Sequence, residues 1–169
     1  MKDVAKLLND MIAEGVIVEY AIFGAVAQMR YTEAVSTMDA AVLIALPSQK
    51  GLDILRPIYE FCANRGWNPE GEAVRVGDWP VQFIPAFNPL TKEAMRQADT
   101  AEIQGVPIRV VRADYLAVIA LSVGRAKDFA RILALLECDA LTPDEIAKLA
   151  IRLGLQPEWT AFSEKFLDE

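Results

Sequence analysis

The sequence predicts an α+β protein: a mixed sheet flanked by helices, followed by a small C-terminal helical bundle. Three observations carry this. Short apolar runs of strand length alternate with amphipathic helical stretches as far as Arg112. One run, Ala40-Ala41-Val42-Leu43-Ile44-Ala45-Leu46, is unbroken and stopped by Pro47, as expected of a strand buried on both faces in the middle of a sheet. After Arg112 only helical patterns remain. The expected boundary therefore lies near Ala113, dividing an α+β domain over 1–112 from a helical domain over 113–169.

In chain order, Val4, Leu7, Leu8, Met11 and Ile12 fall at helical spacing, so a first amphipathic helix is expected over 1–14, ended by Gly15. Residues 16–23 alternate loosely and read as a strand that runs into Gly24. Residues 25–31 are rich in small side chains and read as a short helix. Leu52, Leu55, Ile58, Tyr59 and Cys62 then predict a helix over 51–65, closed by Gly66. Residues 72–76 and 79–84 flank Gly77-Asp78 as a hairpin. Asn88-Pro89, a capping residue and a first-turn proline, opens a helix through Ala98. Residues 101–103 and 106–111 read as a further strand pair. Four helices follow, over 114–123, 125–137, 143–153 and 157–166. The third has the clearest start, because Thr142 and Glu145 form a capping box around Pro143.

Composition narrows the chemistry. The 169 residues contain no histidine, which removes the commonest general base and zinc ligand. A Ser-His-Asp hydrolase, a Cys-His protease and a His-ligated zinc enzyme are excluded, so any catalysis must rest on carboxylates, other polar groups or a hard metal ion. The formal net charge of −7 argues against binding extended duplex DNA, which needs a basic stripe, but leaves room for a local basic pocket. Cys62 and Cys138 sit in apolar helical stretches and read as buried thiols. Trp67, Trp79 and Trp159 lie beside turns and read as seals on core edges. No apolar run reaches the roughly 18 residues needed to span a bilayer. The first residues, Met1-Lys2-Asp3-Val4-Ala5-Lys6, do not resemble a signal peptide, so a cytoplasmic protein is expected.

The segment with most to say about chemistry is Tyr20-Ala21-Ile22-Phe23-Gly24-Ala25-Val26-Ala27, followed after nine residues by Thr37-Met38-Asp39. Glycine at the end of a strand lets backbone approach a ligand, and a following helix start presents N–H groups suited to phosphate. An aspartate at the mouth of the adjacent strand is placed to hold a divalent metal against those phosphates. A turn glycine and a turn-capping aspartate would give the same pattern. Ser36 and Thr37 either contact phosphate or cap the turn. Arg125, Lys127 and Asp128 open a helix: Arg125 or Lys127 can reach a phosphate chain, or the cluster ties the helical half to the sheet half through Asp128.

Taken together, the strand-Gly24-Ala25 entry, Ser36-Thr37-Met38-Asp39, Val81-Gln82-Phe83-Ile84-Pro85, Asn88-Pro89-Leu90-Thr91, the Val110 to Leu116 segment and Arg125-Ala126-Lys127-Asp128 resemble the nucleotidyltransferase superfamily. Most closely they resemble its AbiEii-type (abortive-infection) bacterial members. The resemblance implies a nucleoside triphosphate as substrate or ligand and magnesium as cofactor. It also implies a two-metal scheme, in which two acids two positions apart on one strand hold the metals and a third acid sits on a neighbouring strand. Residues i and i+2 of a strand share a face, which is why that spacing works. Here Asp39 fits the first position, Ala41 stands at the second, and Gln82 stands where the third acid is expected. Glu33 and Asp78 lie in loops that the sequence does not place.

Two functions follow. The first is transfer of a nucleotide from the triphosphate to a protein or RNA acceptor, as in a bacterial toxin–antitoxin or phage-defence pair with an antitoxin-like protein partner. Asp39 would then be the catalytic metal ligand. Gly24, Ala25, Ser36, Thr37, Arg125, Lys127 and Asp128 would bind the nucleotide. The alternative is a catalytically inactive module that keeps the fold to bind a nucleotide or a protein partner.

Overall fold

A computed structural model of the chain describes residues 1–48, 51 and 53–168. Seven strands form one mixed sheet in the order β3-β4-β5-β2-β1-β7-β6. Its centre is β1 (Glu19–Phe23) and β2 (Ala40–Ala45), paired antiparallel with Phe23 opposite Ala41. On one side β5 (Trp79–Pro85) runs parallel to β2, with Ala41 opposite Gln82. On the other, β7 (Val106–Val110) runs parallel to β1. Outside these lie β4 (Ala73–Val76) and the two-residue β3 (Pro69–Glu70) at one edge, and β6 (Asp99–Ile103) at the other. The apolar run at 40–46 is thus a central strand, as its composition predicts.

Side chains alternate between the two faces of each strand, and the burial pattern separates the faces. Tyr20, Ile22, Ala40, Val42, Ile44, Val81 and Phe83 share one face and are all nearly inaccessible. The amphipathic helix α1 (Lys2–Ala13) covers it with Val4, Leu7, Leu8 and Met11. Tyr20 donates its hydroxyl hydrogen to Asn9 Oδ1 at 2.8 Å, and Asn9 Nδ2 donates to the Pro107 carbonyl at 2.8 Å, so α1 is tied to the sheet through satisfied polar groups. Helix α3 (Arg56–Asn64) lies beside it, and Arg65 pairs with Asp10 and Glu14 of that neighbouring segment.

The opposite face carries Ala21, Phe23, Ala41, Leu43, Gln82 and Ile84. Its middle, at Ala21 and Leu43, is buried, while Phe23, Ala41 and Gln82 at its end, and Ile84 beside Leu43, are only half-buried. Helices α2 (Gly24–Gln28) and α4 (Pro89–Arg96) pack on this side. Above them runs α5 (Ala113–Val123), the hub of the helical half. It contacts α2, α4, α6 (Ala126–Glu137), α7 (Pro143–Arg152) and α8 (Gln156–Phe166). Its sequence, ADYLAVIALSV, is apolar nearly all round, and a helix of that kind is buried on every side. One continuous cluster of buried side chains runs from α1 through the sheet into these helices.

Several boundaries differ from the sequence expectation, each for a local reason. The strand expected from Val16 begins at Glu19, because the N–H groups of Val16 and Ile17 bond back to the Met11 carbonyl behind Gly15, which has φ +74°. The helix expected over 51–65 begins at Arg56. Pro57 sits in its first turn, where a missing N–H costs nothing; an earlier start would have put it inside the helix. Leu52, part of that expectation, lies outside the described residues. The short helix expected over 25–31 is five residues, Gly24–Gln28. Cys62 is buried, as read, but Cys138 is exposed at the C-terminal cap of α6. The Thr142–Glu145 capping box is present, as is the Asn88 cap on Thr91 at 2.8 Å.

Candidate functional site

The open end of the second sheet face forms a cleft of about 840 Å³, within the size range of pockets that hold small molecules. Four chain segments meet there. The end of β1 and the start of α2 supply Phe23, Gly24, Ala25 and Gln28; the loop before β2 supplies residues 35–39; β2 and β5 supply Ala41, Gln82 and Ile84. The start of α6 closes it with Arg125, Lys127, Ala130, Arg131 and Ala134. Gly24, Ala25, Ser36, Thr37, Asp39, Arg125 and Lys127, all singled out from sequence, are therefore neighbours on one cleft.

Gly24 is positioned by geometry that few other residues tolerate. Its φ is +66°, the left-handed region, and it turns the chain directly from β1 into α2. A Cβ placed there would lie 3.6 Å from Ala41 Cβ, an ordinary contact, so the backbone conformation and not crowding calls for glycine. Thr37 donates its hydroxyl hydrogen to the carbonyl of Asp39 at 2.9 Å, holding the turn that leads into β2. The Asp39 carboxylate itself has no hydrogen-bond or ion-pair partner among the described residues and lines the cleft half-exposed.

Asp128 does not line the cleft. Its side chain is 2% exposed and sits behind the cations. Oδ2 accepts from the Arg125 backbone N–H at 3.1 Å and from Arg125 Nε at 2.7 Å, while Oδ1 accepts from Arg125 Nη2 at 3.2 Å. Burial pushes this carboxyl up, but the hydrogen bonds from Arg125 and the charges of Arg125 and Arg131 outweigh burial and hold it below its ordinary value. One polar tie between the helical half and α2 runs through two residues that the sequence does not single out. Arg131, its side chain 18% exposed, donates Nε to Gln28 Oε1 at 3.0 Å and lies 3.7 Å from Asp128. Gln28 on α2 is itself buried. Helical spacing contained a signal for this: Lys127, Ala130, Arg131 and Ala134 recur at i, i+3, i+4 and i+7, one face of α6. Two alanines on that face leave room in front of two cations.

The solution structure of the antibiotic-resistance factor ANT(2'')-Ia matches this chain with a TM-score of 0.51 and 14% identity over 95% of each chain. An antigenic nucleotidyltransferase-like protein from Paracoccidioides brasiliensis matches with a TM-score of 0.50 and 14% identity, over 98% of this chain and 95% of that one. This chain has the nucleotidyltransferase fold. No family profile matches the sequence, and no curated protein does. Identity this low speaks for the fold, and the function of a nucleotidyltransferase fold has to be argued from its site.

On this fold the register makes the site's chemistry legible. Ala41 and Gln82 are direct partners across β2 and β5, and both line the cleft. The two positions at which the resemblance implies carboxylates are thus brought together, and neither carries one. Glu33 and Asp78 are not among the lining residues. Among the described residues no group of three or more His, Cys, Asp or Glu is arranged to hold a metal. A hard divalent cation needs anionic oxygen ligands, and an alanine methyl and a neutral amide do not substitute for two carboxylates. The donor set does not fit a metal pair. The cations are in place: Arg125, Lys127 and Arg131 face the single carboxylate of Asp39 in a chain whose net charge is −7.

Proposed function

We propose that this chain is a nucleotide-binding protein of the nucleotidyltransferase fold that has given up two-metal transfer. The observation that carries the reading is the Ala41–Gln82 pair at the head of the cleft. The positions for two acids are opposite one another and uncharged, while the cleft, its cations and its apolar wall are present. The lining divides accordingly. Arg125, Lys127 and Arg131 on α6 suit a phosphate chain. Phe23, Val35, Ile84 and the 90%-exposed Met38 offer an apolar wall and a polarizable thioether to a base.

Calorimetric titration with each nucleoside triphosphate in magnesium buffer tests this. At least one triphosphate is expected to bind, and Lys127→Ala is expected to weaken it about tenfold, the loss of one charge-assisted contact. Lys127 is exposed and forms no ion pair among the described residues, so its removal leaves the fold intact. Failure of every triphosphate to bind overturns the proposal.

One observation favours a second reading. The unpartnered Asp39 carboxylate faces the cleft, and one carboxylate together with substrate phosphates is a ligand set that magnesium accepts. On that reading the chain transfers a nucleotide to a protein or RNA acceptor through a single ion. Incorporation of label from a triphosphate into acceptor, abolished by Asp39→Asn, would establish it.

A further inference from the structure

We infer that the cleft takes the phosphate chain of its nucleotide as the free anion, with three cations of the α6 segment supplying the neutralising charge that a divalent metal brings elsewhere. The inference rests on the nucleotide-binding reading above and goes further by naming the ionic form of the ligand. Three features support it. First, the side chains at the head of the cleft are one carboxylate, one amide and one methyl group, and only the first is an anionic ligand for a hard cation. Second, the cations are pre-oriented. Arg131 is held between Gln28 at 3.0 Å and Asp128 at 3.7 Å, and Arg125 is fixed at the helix start by Asp128 at 2.7 Å. A guanidinium whose rotamer is already set loses little freedom when it grips phosphate oxygens. Third, the charges match. Three cations face one carboxylate across the cleft, and Asp128 offsets part of that excess only from behind. Magnesium on the ligand would cancel some of its negative charge and weaken its attraction to these cations.

The test is calorimetry on the full chain with ATP, once with excess EDTA and once with excess magnesium. Affinity in EDTA is expected to equal or exceed that in magnesium. Lys127→Ala is expected to weaken the EDTA value about tenfold. Arg131→Lys, which keeps the charge but loses the guanidinium fork and its bond to buried Gln28, is expected to weaken it by a smaller factor and to lower the melting temperature. Inorganic tripolyphosphate should displace ATP, and adenosine should not. Binding that falls about tenfold or more when magnesium is removed overturns this inference and leaves the nucleotide-binding reading standing. Displacement by adenosine but not by tripolyphosphate overturns it as well, as does an unchanged affinity in Lys127→Ala. Absence of binding in both buffers overturns both readings.

Discussion

Asp128 shows how a single acid is both hidden and charged. Burial opposes its ionisation, and the bonds it accepts from Arg125, main chain and side chain, reverse that preference. Its folded-state value is depressed below the ordinary 3.8, so its contribution to stability is fully present above that pH. That contribution is lost as pH falls below 3.8 and through the depressed value. Asp128→Asn keeps one acceptor oxygen for the cap but removes the second acceptor and the charge that Arg125 and Arg131 pair with, which should cost about 1–3 kcal/mol in urea unfolding at neutral pH. The variant should also lose this share of the acid-side slope. Gly24 gives a second prediction. Because its Cβ would meet only Ala41 at an ordinary contact distance, the cost of Gly24→Ala is the left-handed backbone alone, about 1 kcal/mol in the same assay. Gly24 and Asp39 were legible from sequence because a strand-ending glycine and a strand-opening acid are local signals. Gln28 was not. It meets Arg131 across 103 residues, and no local spacing reports such a pair.

At the scale of elements, α6 turns one face to the cleft and another to the core. Lys127, Ala130, Arg131 and Ala134 line the cleft, while Asp128, Ile132 and Leu135 are buried. The alanines matter as empty space. Ala130 is exposed, so Ala130→Leu should change unfolding free energy by less than about 0.5 kcal/mol. The added side chain projects into the cleft and should weaken triphosphate binding about tenfold, as read by calorimetry. If binding is unaffected, the ligand does not lie against this face. Most elements were readable from periodicity and caps, and helices with strong start signals, such as those at Asn88 and Thr142, begin where predicted. Edges set by backbone bonding were less so. The start of β1 is decided by N–H groups folding back on α1, and the two-residue β3 exists only because β4 is there to pair with it. Cys138 read as buried because it ends an apolar helical stretch; its immediate neighbours are Glu137 and Asp139, and it falls at the helix cap, where the chain turns to solvent.

At the scale of the molecule, the sheet order does the positioning. Two parallel pairings, β2 with β5 and β1 with β7, bring distant segments to one end of the sheet, and α6 closes over that end. The mixed sheet and the helical C-terminal part were legible in the order of the sequence patterns. The apposition of positions 41 and 82 follows only from the parallel register, which no single strand encodes. On the proposed reading, the head of this cleft lacks the ligands for a metal pair. Manganese, used as a paramagnetic stand-in for magnesium, tests it directly when titrated into the wild-type chain and into an Ala41→Asp/Gln82→Asp double variant, with free metal read by electron paramagnetic resonance. Ala41 lines the cleft, which leaves room there for the new carboxylate. On that reading the wild type is expected to show no saturable site through the millimolar range, and the double variant a saturable site at least about tenfold tighter. A wild-type chain that binds manganese as tightly as the double variant would contradict it.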